Sequence, residues 1–161
     1  MFHFTHPNNV DDILRDGLRV GRPIVTDNSV AWTLDFYETN PIYLTTLESD
    51  FLRAFAETEW AEFVSFDVDS SALDLVADLA SLVDKGARYE EGMFDLRGKL
   101  ELEPLMRFAD EYGFLEIEHL LDPSSSASKI AISITGTAAC LSDIAPRLLT
   151  LNCEISPAPG C

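Results

Sequence analysis

The apolar residues of this chain occur in short runs that acids, prolines and glycines interrupt. No run reaches the roughly 18 residues that a membrane-spanning helix needs, and the runs alternate between strand and helix periodicity. The length of 161 residues fits one hydrophobic core, and a hydrophobic fraction of 47% is sufficient to pack it. We therefore expect one α+β domain over residues 1–152, followed by a tail over residues 153–161.

The first third of the chain has the clearest pattern. Residues 2–6 alternate aromatic with polar side chains, which predicts a strand with two chemically different faces. A turn beginning at Pro7 follows, and then apolar residues at helical spacing up to Gly17, where the helix should end. After this helix we expect, in chain order, a long loop over residues 19–41, a strand over 41–46, a helix over 47–60 and a strand over 62–68.

The remainder of the chain is less regular. Its patterns predict, in chain order, a helix over residues 73–83, a mobile connection over 86–98, a helix over 102–112, a strand over 114–118, a Ser-rich hairpin or lid over 122–128 and a strand over 130–135. Helices and strands are thus expected along the whole chain, as in the α+β class.

The charge of the chain is strongly negative, with 28 acidic against 11 basic residues and a formal net charge of −17. Nucleic-acid binding depends on basic groups that displace counterions from phosphates, so this balance disfavours a duplex nucleic acid as partner. The densest basic segment holds Arg15, Arg19 and Arg22. We interpret most of the acids as a solvated surface, with an acidic face for a basic protein partner as the alternative.

The cysteines and histidines favour neither export nor a metal. The N-terminus lacks the basic and apolar regions of a signal peptide, and the three cysteines lack CxxC spacing, so we expect reduced thiols and a cytoplasmic location. His3 and His6 are three positions apart on the predicted first strand, where they would face opposite sides. We therefore expect no metal site and no membrane contact.

Two segments resemble a known family. Phe2-His-Phe-Thr-His-Pro-Asn-Asn9, followed by Ile13-Leu-Arg-Asp-Gly-Leu18, is similar to the opening of ADP-ribosyltransferase-fold proteins. These include toxins that modify DNA, antibiotic-modifying transferases and NAD-using RNA 2'-phosphotransferases. Ile42-Tyr-Leu-Thr45 looks like the second signature segment. The resemblance covers residues 2–68 and implies split antiparallel sheets that form an NAD cleft, flanked by short helices.

The resemblance also implies roles for individual residues. In the family, a histidine on the first strand binds the ribose of NAD and a tyrosine on the second strand stacks on nicotinamide, and the matching residues are His3 and Tyr43. The implied NAD-binding set is His3, Phe4, Thr5, Tyr43, Leu44, Phe51 and Phe55. The same residues also have a purely structural interpretation, His3 and Tyr43 as ordinary strand residues and the two phenylalanines of the helix as core.

The family's third element is an acid that opens a late strand. The predicted late strand, Lys129 to Thr135, is preceded by serines instead. Acids lie upstream at Glu116, Glu118 and Asp122, and we take Glu118 as the candidate for the third catalytic group beside His3 and Tyr43. An acid near the ribose would stabilise the oxocarbenium-like state of glycosidic cleavage.

The leading hypothesis is therefore an NAD-dependent mono-ADP-ribosyltransferase, toxin-like in type, whose acceptor is a protein, a nucleic acid or a small molecule. One alternative is a catalytically inactive acidic binding or inhibitor module on the same fold. Another is an NAD-using enzyme similar to RNA 2'-phosphotransferases, although few Lys and Arg residues are present to bind substrate phosphates.

Overall fold

A computed structural model describes residues 1–21, 37, 40–46 and 51–152, apart from the side chains of Phe51, Leu52 and Phe55. The described chain is mixed α+β, with antiparallel sheets and several short helices, as the sequence predicts. The strands are β1 (Phe2–Thr5), β2 (Ile42–Thr45), β3 (Val64–Val68), β4 (Leu75–Ala77), β5 (Arg88–Glu90), β6 (Met93–Asp95), β7 (Phe114–Glu116), β8 (Thr137–Cys140) and β9 (Leu149–Asn152). The helices are α1 (Val10–Asp16), α2 (Phe51–Glu59), α3 (Leu79–Asp84), α4 (Glu103–Met106), α5 (Ile117–Leu121) and α6 (Ser126–Thr135).

The larger sheet has six strands in the order β4-β8-β2-β1-β3-β9, and each pair of neighbouring strands is antiparallel. A single register pair, Phe2 with Thr45, joins β1 to β2. Every other neighbouring pair in this sheet has three or four register pairs. The sheet is therefore split into two halves, β4-β8-β2 and β1-β3-β9, which meet at one point.

The smaller sheet has the order β5-β6-β7 and covers part of the core. Phe94 and Leu115 pair across it and are both fully buried. They pack in one cluster with Val76 of β4 and Ala131 of α6. A second cluster lies beside α1; its buried members include Ile13, Leu44, Phe66, Cys140, Ile144 and Leu149. The larger sheet thus supplies residues to both clusters.

The prediction of one helix over residues 73–83 is wrong, because Asp78 divides this segment. Residues before it form β4, and Asp78 accepts hydrogen bonds from the backbone N–H groups of Ala80 and Ser81 as the N-cap of α3. The predicted mobile connection over 86–98 is instead the β5–β6 hairpin. Its two-residue turn has positive φ at both Glu91 (50°) and Gly92 (86°), as the tightest hairpin turns require.

The predicted strand over residues 130–135 is also wrong, since these residues belong to α6. Ser125 caps this helix by accepting from the backbone N–H of Ala127, and Gly136 ends it in the left-handed conformation. The serines therefore start a helix and do not form the predicted hairpin or lid. The helix predicted over 102–112 is limited to α4, and the strand predicted over 114–118 ends as β7 at Glu116, where α5 follows.

The first third of the chain follows the predicted order. β1, α1, β2, α2 and β3 all occur, with bounds shifted by a few residues. Most of the loop expected over residues 19–41, the first residues of the helix expected over 47–60 and the tail over 153–161 lie outside the described residues. Among the described helices, none is long and apolar enough to cross a lipid bilayer.

Candidate functional site

His3 lies on β1 at the split of the larger sheet. Its Nδ1 is 3.1 Å from the backbone carbonyl oxygen of Tyr43 on β2. A carbonyl oxygen only accepts, so Nδ1 carries the proton in this contact. Burial lowers the pKa of His3, and the hydrogen bond to Tyr43 opposes this effect. The imidazole is therefore neutral near pH 7, with the lone pair of Nε2 as an acceptor.

Tyr43 is half-buried on β2, where it pairs with Ala139 of β8. Its ring meets the ring of Tyr37 edge to face, with centroids 6.5 Å apart and an interplanar angle of 77°. Tyr43 and Thr45 are two positions apart on β2, so their side chains lie on the same face of the sheet. Phe2 pairs with Thr45 and shares that face. His3 follows Phe2 and therefore points to the other face. The structure thus brings His3 to the backbone of Tyr43 but directs the two side chains to opposite faces at the split.

Three other residues of the predicted NAD-binding set have side chains engaged in the fold. Phe4 packs edge to face on Phe63, with ring centroids 5.6 Å apart, and Leu44 is fully buried in the second cluster. The Thr5 hydroxyl accepts from Asn9 Nδ2 at 3.0 Å, which ties β1 to the following turn. The side chains of Phe51 and Phe55, on α2, lie outside the described residues.

The backbone of Phe4 faces the split. The N-terminal nitrogen of Met1 donates to the carbonyl oxygen of Val68 on β3, and the N–H of Val68 donates to the carbonyl oxygen of Met1. The backbone N–H and C=O groups of successive residues point to alternate sides of a strand, so those of Phe2 and Phe4 point toward β2. No register pair joins Phe4 to β2. Any contact of Phe4 with a ligand at this site would therefore come from its peptide group.

Glu118 is exposed on α5, a helix that packs against α6, β4 and β7. The late strand beside β2 is β8, and its first residue is Thr137, which pairs with Thr45. Thr137 is buried. The expectation of a late strand over residues 129–135 is thus corrected to residues 137–140, and a threonine opens this strand where the resemblance implies an acid.

Sequence reasoning missed the buried carboxyl of Asp78, which is 1% exposed. The Tyr37 hydroxyl donates to the carbonyl oxygen of Ala77 at 3.0 Å and accepts from the N–H of Leu79 at 3.1 Å, so it binds both neighbours of Asp78. The sequence does carry a signal for this corner. An aspartate three residues before a serine, between two apolar runs, is typical of a helix start.

The basic segment at the N-terminus is largely neutralised by acids. Arg15 forms ion pairs with Asp12 and Asp16, and Arg19 forms one with Asp143. Arg22 lies outside the described residues. The guanidinium groups of Arg15 and Arg19 are therefore already engaged, which weakens the case for a phosphate-binding patch.

Other candidate sites are few in the part of the chain that the structure describes. No group of three or more His, Cys, Asp and Glu side chains there could hold a metal ion. An open cleft of about 250 Å³ lies between β4 and α6, and two strands, β8 and β2, separate β4 from β1. The residues that line the cleft are Leu73, Asp74, Leu75, Pro123, Lys129 and Ile132.

Comparisons with known proteins add no relative. No protein-family model matches the chain, and neither a curated protein nor a solved structure matches it.

Proposed function

We propose that this chain binds NAD as a substrate at the split between β1 and β2 and transfers its ADP-ribosyl group to an acceptor. The observation that carries the proposal is the hydrogen bond from His3 Nδ1 to the Tyr43 carbonyl oxygen. It couples the two residues that match the family's signature positions and orients the ring of His3. A neutral imidazole held in this way accepts a ribose hydroxyl at Nε2.

The split sheet supports the same proposal. Because β1 and β2 pair at only one position, the peptide of Phe4 faces the junction without a register partner on β2, and a buried peptide group needs a hydrogen-bond partner. The peptide of Phe4 suits the carboxamide of nicotinamide. The half-buried ring of Tyr43 has the flat apolar face that a cationic pyridinium prefers. Because His3 and Tyr43 point to opposite faces, NAD would have to cross the split to contact both side chains.

The test measures NAD binding by calorimetry and nicotinamide release from adenine-labelled NAD, for the wild type and His3→Gln. Loss of one hydrogen bond of about 1–1.5 kcal/mol should weaken NAD binding by about tenfold. His119→Gln is the matched control, because His119 is exposed on α5. Both variants are first checked for folding by circular dichroism. Equal NAD affinity in wild type and His3→Gln would contradict the proposal.

A second candidate function is the acidic binding module, a catalytically inactive protein that holds a basic partner through its surface charge. The observation that favours it is Thr137, which opens β8 where the resemblance implies a catalytic acid. NAD binding without nicotinamide release, or no NAD binding at all, favours this candidate. It further requires salt-sensitive binding to a basic protein.

A further inference from the structure

Asp78 stands at the corner between β4 and α3, outside the proposed NAD site. Its carboxyl is 1% exposed, which is rare for a charged side chain that lacks an ionic partner. Oδ1 accepts from the backbone N–H groups of Ala80 and Ser81, at 3.1 and 3.3 Å. Oδ2 lies 2.7 Å from the hydroxyl oxygen of Ser81.

This geometry accommodates a proton. A hydroxyl group both donates and accepts, so a protonated Oδ2 can donate to Ser81 Oγ at the same distance. Oδ1 keeps both of its backbone donors in that state. The neutral acid therefore retains these three contacts. The ionised form adds a buried negative charge, which a hydrogen bond from Thr137 of β8 stabilises in part.

Among the described residues, no ion pair compensates that charge. The phenol of Tyr37 is a titratable neighbour of Asp78 and of Tyr43. The charged and titratable groups on the surrounding elements are Asp84 and Lys85, both exposed at the other end of α3, Glu118 and His119 of α5, both exposed, Lys129 of α6, exposed and bound to the Ser124 carbonyl oxygen, and the buried thiol of Cys140 on β8.

We propose that Asp78 is a proton-binding site of the folded chain, and that the fold becomes less stable as this carboxyl ionises. Burial raises the pKa of Asp78 above its ordinary 3.8, and the hydrogen bonds from Ser81, Thr137 and Ala80 offset this only in part. Folding then favours the protonated form. The stabilisation is complete below the pKa of the unfolded chain and is lost as pH rises through the folded pKa.

The experiment compares urea unfolding of the wild type and Asp78→Asn from about pH 4 to about pH 8. Asparagine keeps the N-cap and donates from Nδ2 to Ser81 Oγ as the neutral acid does, without titrating. Between the two pKa values, the unfolding constant of the wild type should rise relative to that of the variant by up to about tenfold per pH unit. Asp74→Asn removes the same charge at an exposed position and is the matched control.

A second measurement needs no variant of Asp78. Carbon-13 NMR of the side-chain carboxyls follows each aspartate of the wild type through its own titration. Asp78 is expected to titrate above the ordinary aspartate value of 3.8. If Asp78 titrates at or below that value, or if the wild type and Asp78→Asn depend on pH in the same way, the proposal is overturned.

Discussion

Gly17 ends α1 in a conformation that excludes a side chain. Its φ is +80° and its ψ is −174°, a region that only glycine adopts readily. A Cβ at this position would overlap the carbonyl oxygen of Ile144, which accepts the backbone N–H of Leu18 at 3.0 Å. The glycine therefore allows the chain to leave α1 and pair at once with the segment before β9.

This close approach gives a prediction for Gly17→Ala. The strain of positive φ and the overlap with Ile144 should together lower the free energy of unfolding by about 3 kcal/mol or more. Gly21→Ala is the matched control, since Gly21 also has a positive φ (+74°) but no atom of the described residues lies within 4 Å of an added Cβ. That variant should lose only about 1–2 kcal/mol. Urea unfolding measures both, and equal losses would show that the contact with Ile144 does not matter.

At the scale of elements, side chains protect the outer edge of the larger sheet. β4 is an edge strand, and its last residue, Ala77, donates its N–H to Ser128 Oγ at 2.9 Å. The carbonyl oxygen of Ala77 accepts from the Tyr37 hydroxyl. Both backbone groups are thus satisfied without a further strand. These hydrogen bonds occupy backbone groups of the edge strand that could otherwise pair with a strand of another chain.

Ser128→Ala should therefore be costly although it removes one hydroxyl. It leaves the buried N–H of Ala77 without a partner, which should lower the free energy of unfolding by about 1–3 kcal/mol. Ser133 lies on the same helix and is exposed, so Ser133→Ala should change stability by no more than about 0.5 kcal/mol. Chemical denaturation of both variants tests this. A loss in Ser128→Ala as small as that of the control would contradict the assigned role.

The elements differ in how far the sequence predicts them. β1, α1, β2 and β3 were predictable because each has one clear period. Pro7 after β1, Gly17 after α1 and Pro41 before β2 mark the boundaries of the first three elements. α6 was not, because Ile130, Ile132 and Ile134 alternate as in a strand. Its helix is set by the cap at Ser125, by the glycine at 136 and by burial of Ala127 and Ala131. Tertiary packing overrides the local preference of β-branched residues here.

The candidate site was likewise only partly predictable from the sequence. That His3 and Tyr43 lie close together agrees with the resemblance, which implies that both residues contact one NAD molecule. The opposite directions of their side chains depend on the pairing of Phe2 with Thr45, which periodicity does not fix. The identity of the late strand depends on which segment pairs with β2, so Glu118 and Thr137 could be placed only by the structure.

At the scale of the whole molecule, acids outnumber bases by 28 to 11, so most carboxylates have no cation to pair with. The described ion pairs of Arg15, Arg19 and Arg53 are exposed on both sides, and the pair of Arg97 with Asp95 is exposed on the arginine side. Pairs of this kind contribute only about 0–1 kcal/mol each. Repulsion among the remaining carboxylates should therefore oppose the folded state.

This repulsion predicts a stabilising effect of salt. Raising the ionic strength from about 0.02 M to about 0.2 M shortens the Debye length from roughly 20 Å to roughly 7 Å, which screens the carboxylates from one another. The melting temperature at neutral pH should therefore rise over this range, even though salt also weakens the attraction within exposed ion pairs. Calorimetry in sodium chloride and in sodium thiocyanate separates screening from ion-specific effects, because screening depends on ionic strength alone. A melting temperature that falls in both salts would mean that the ion pairs outweigh the repulsion, and that the excess of negative charge is not a cost to the fold.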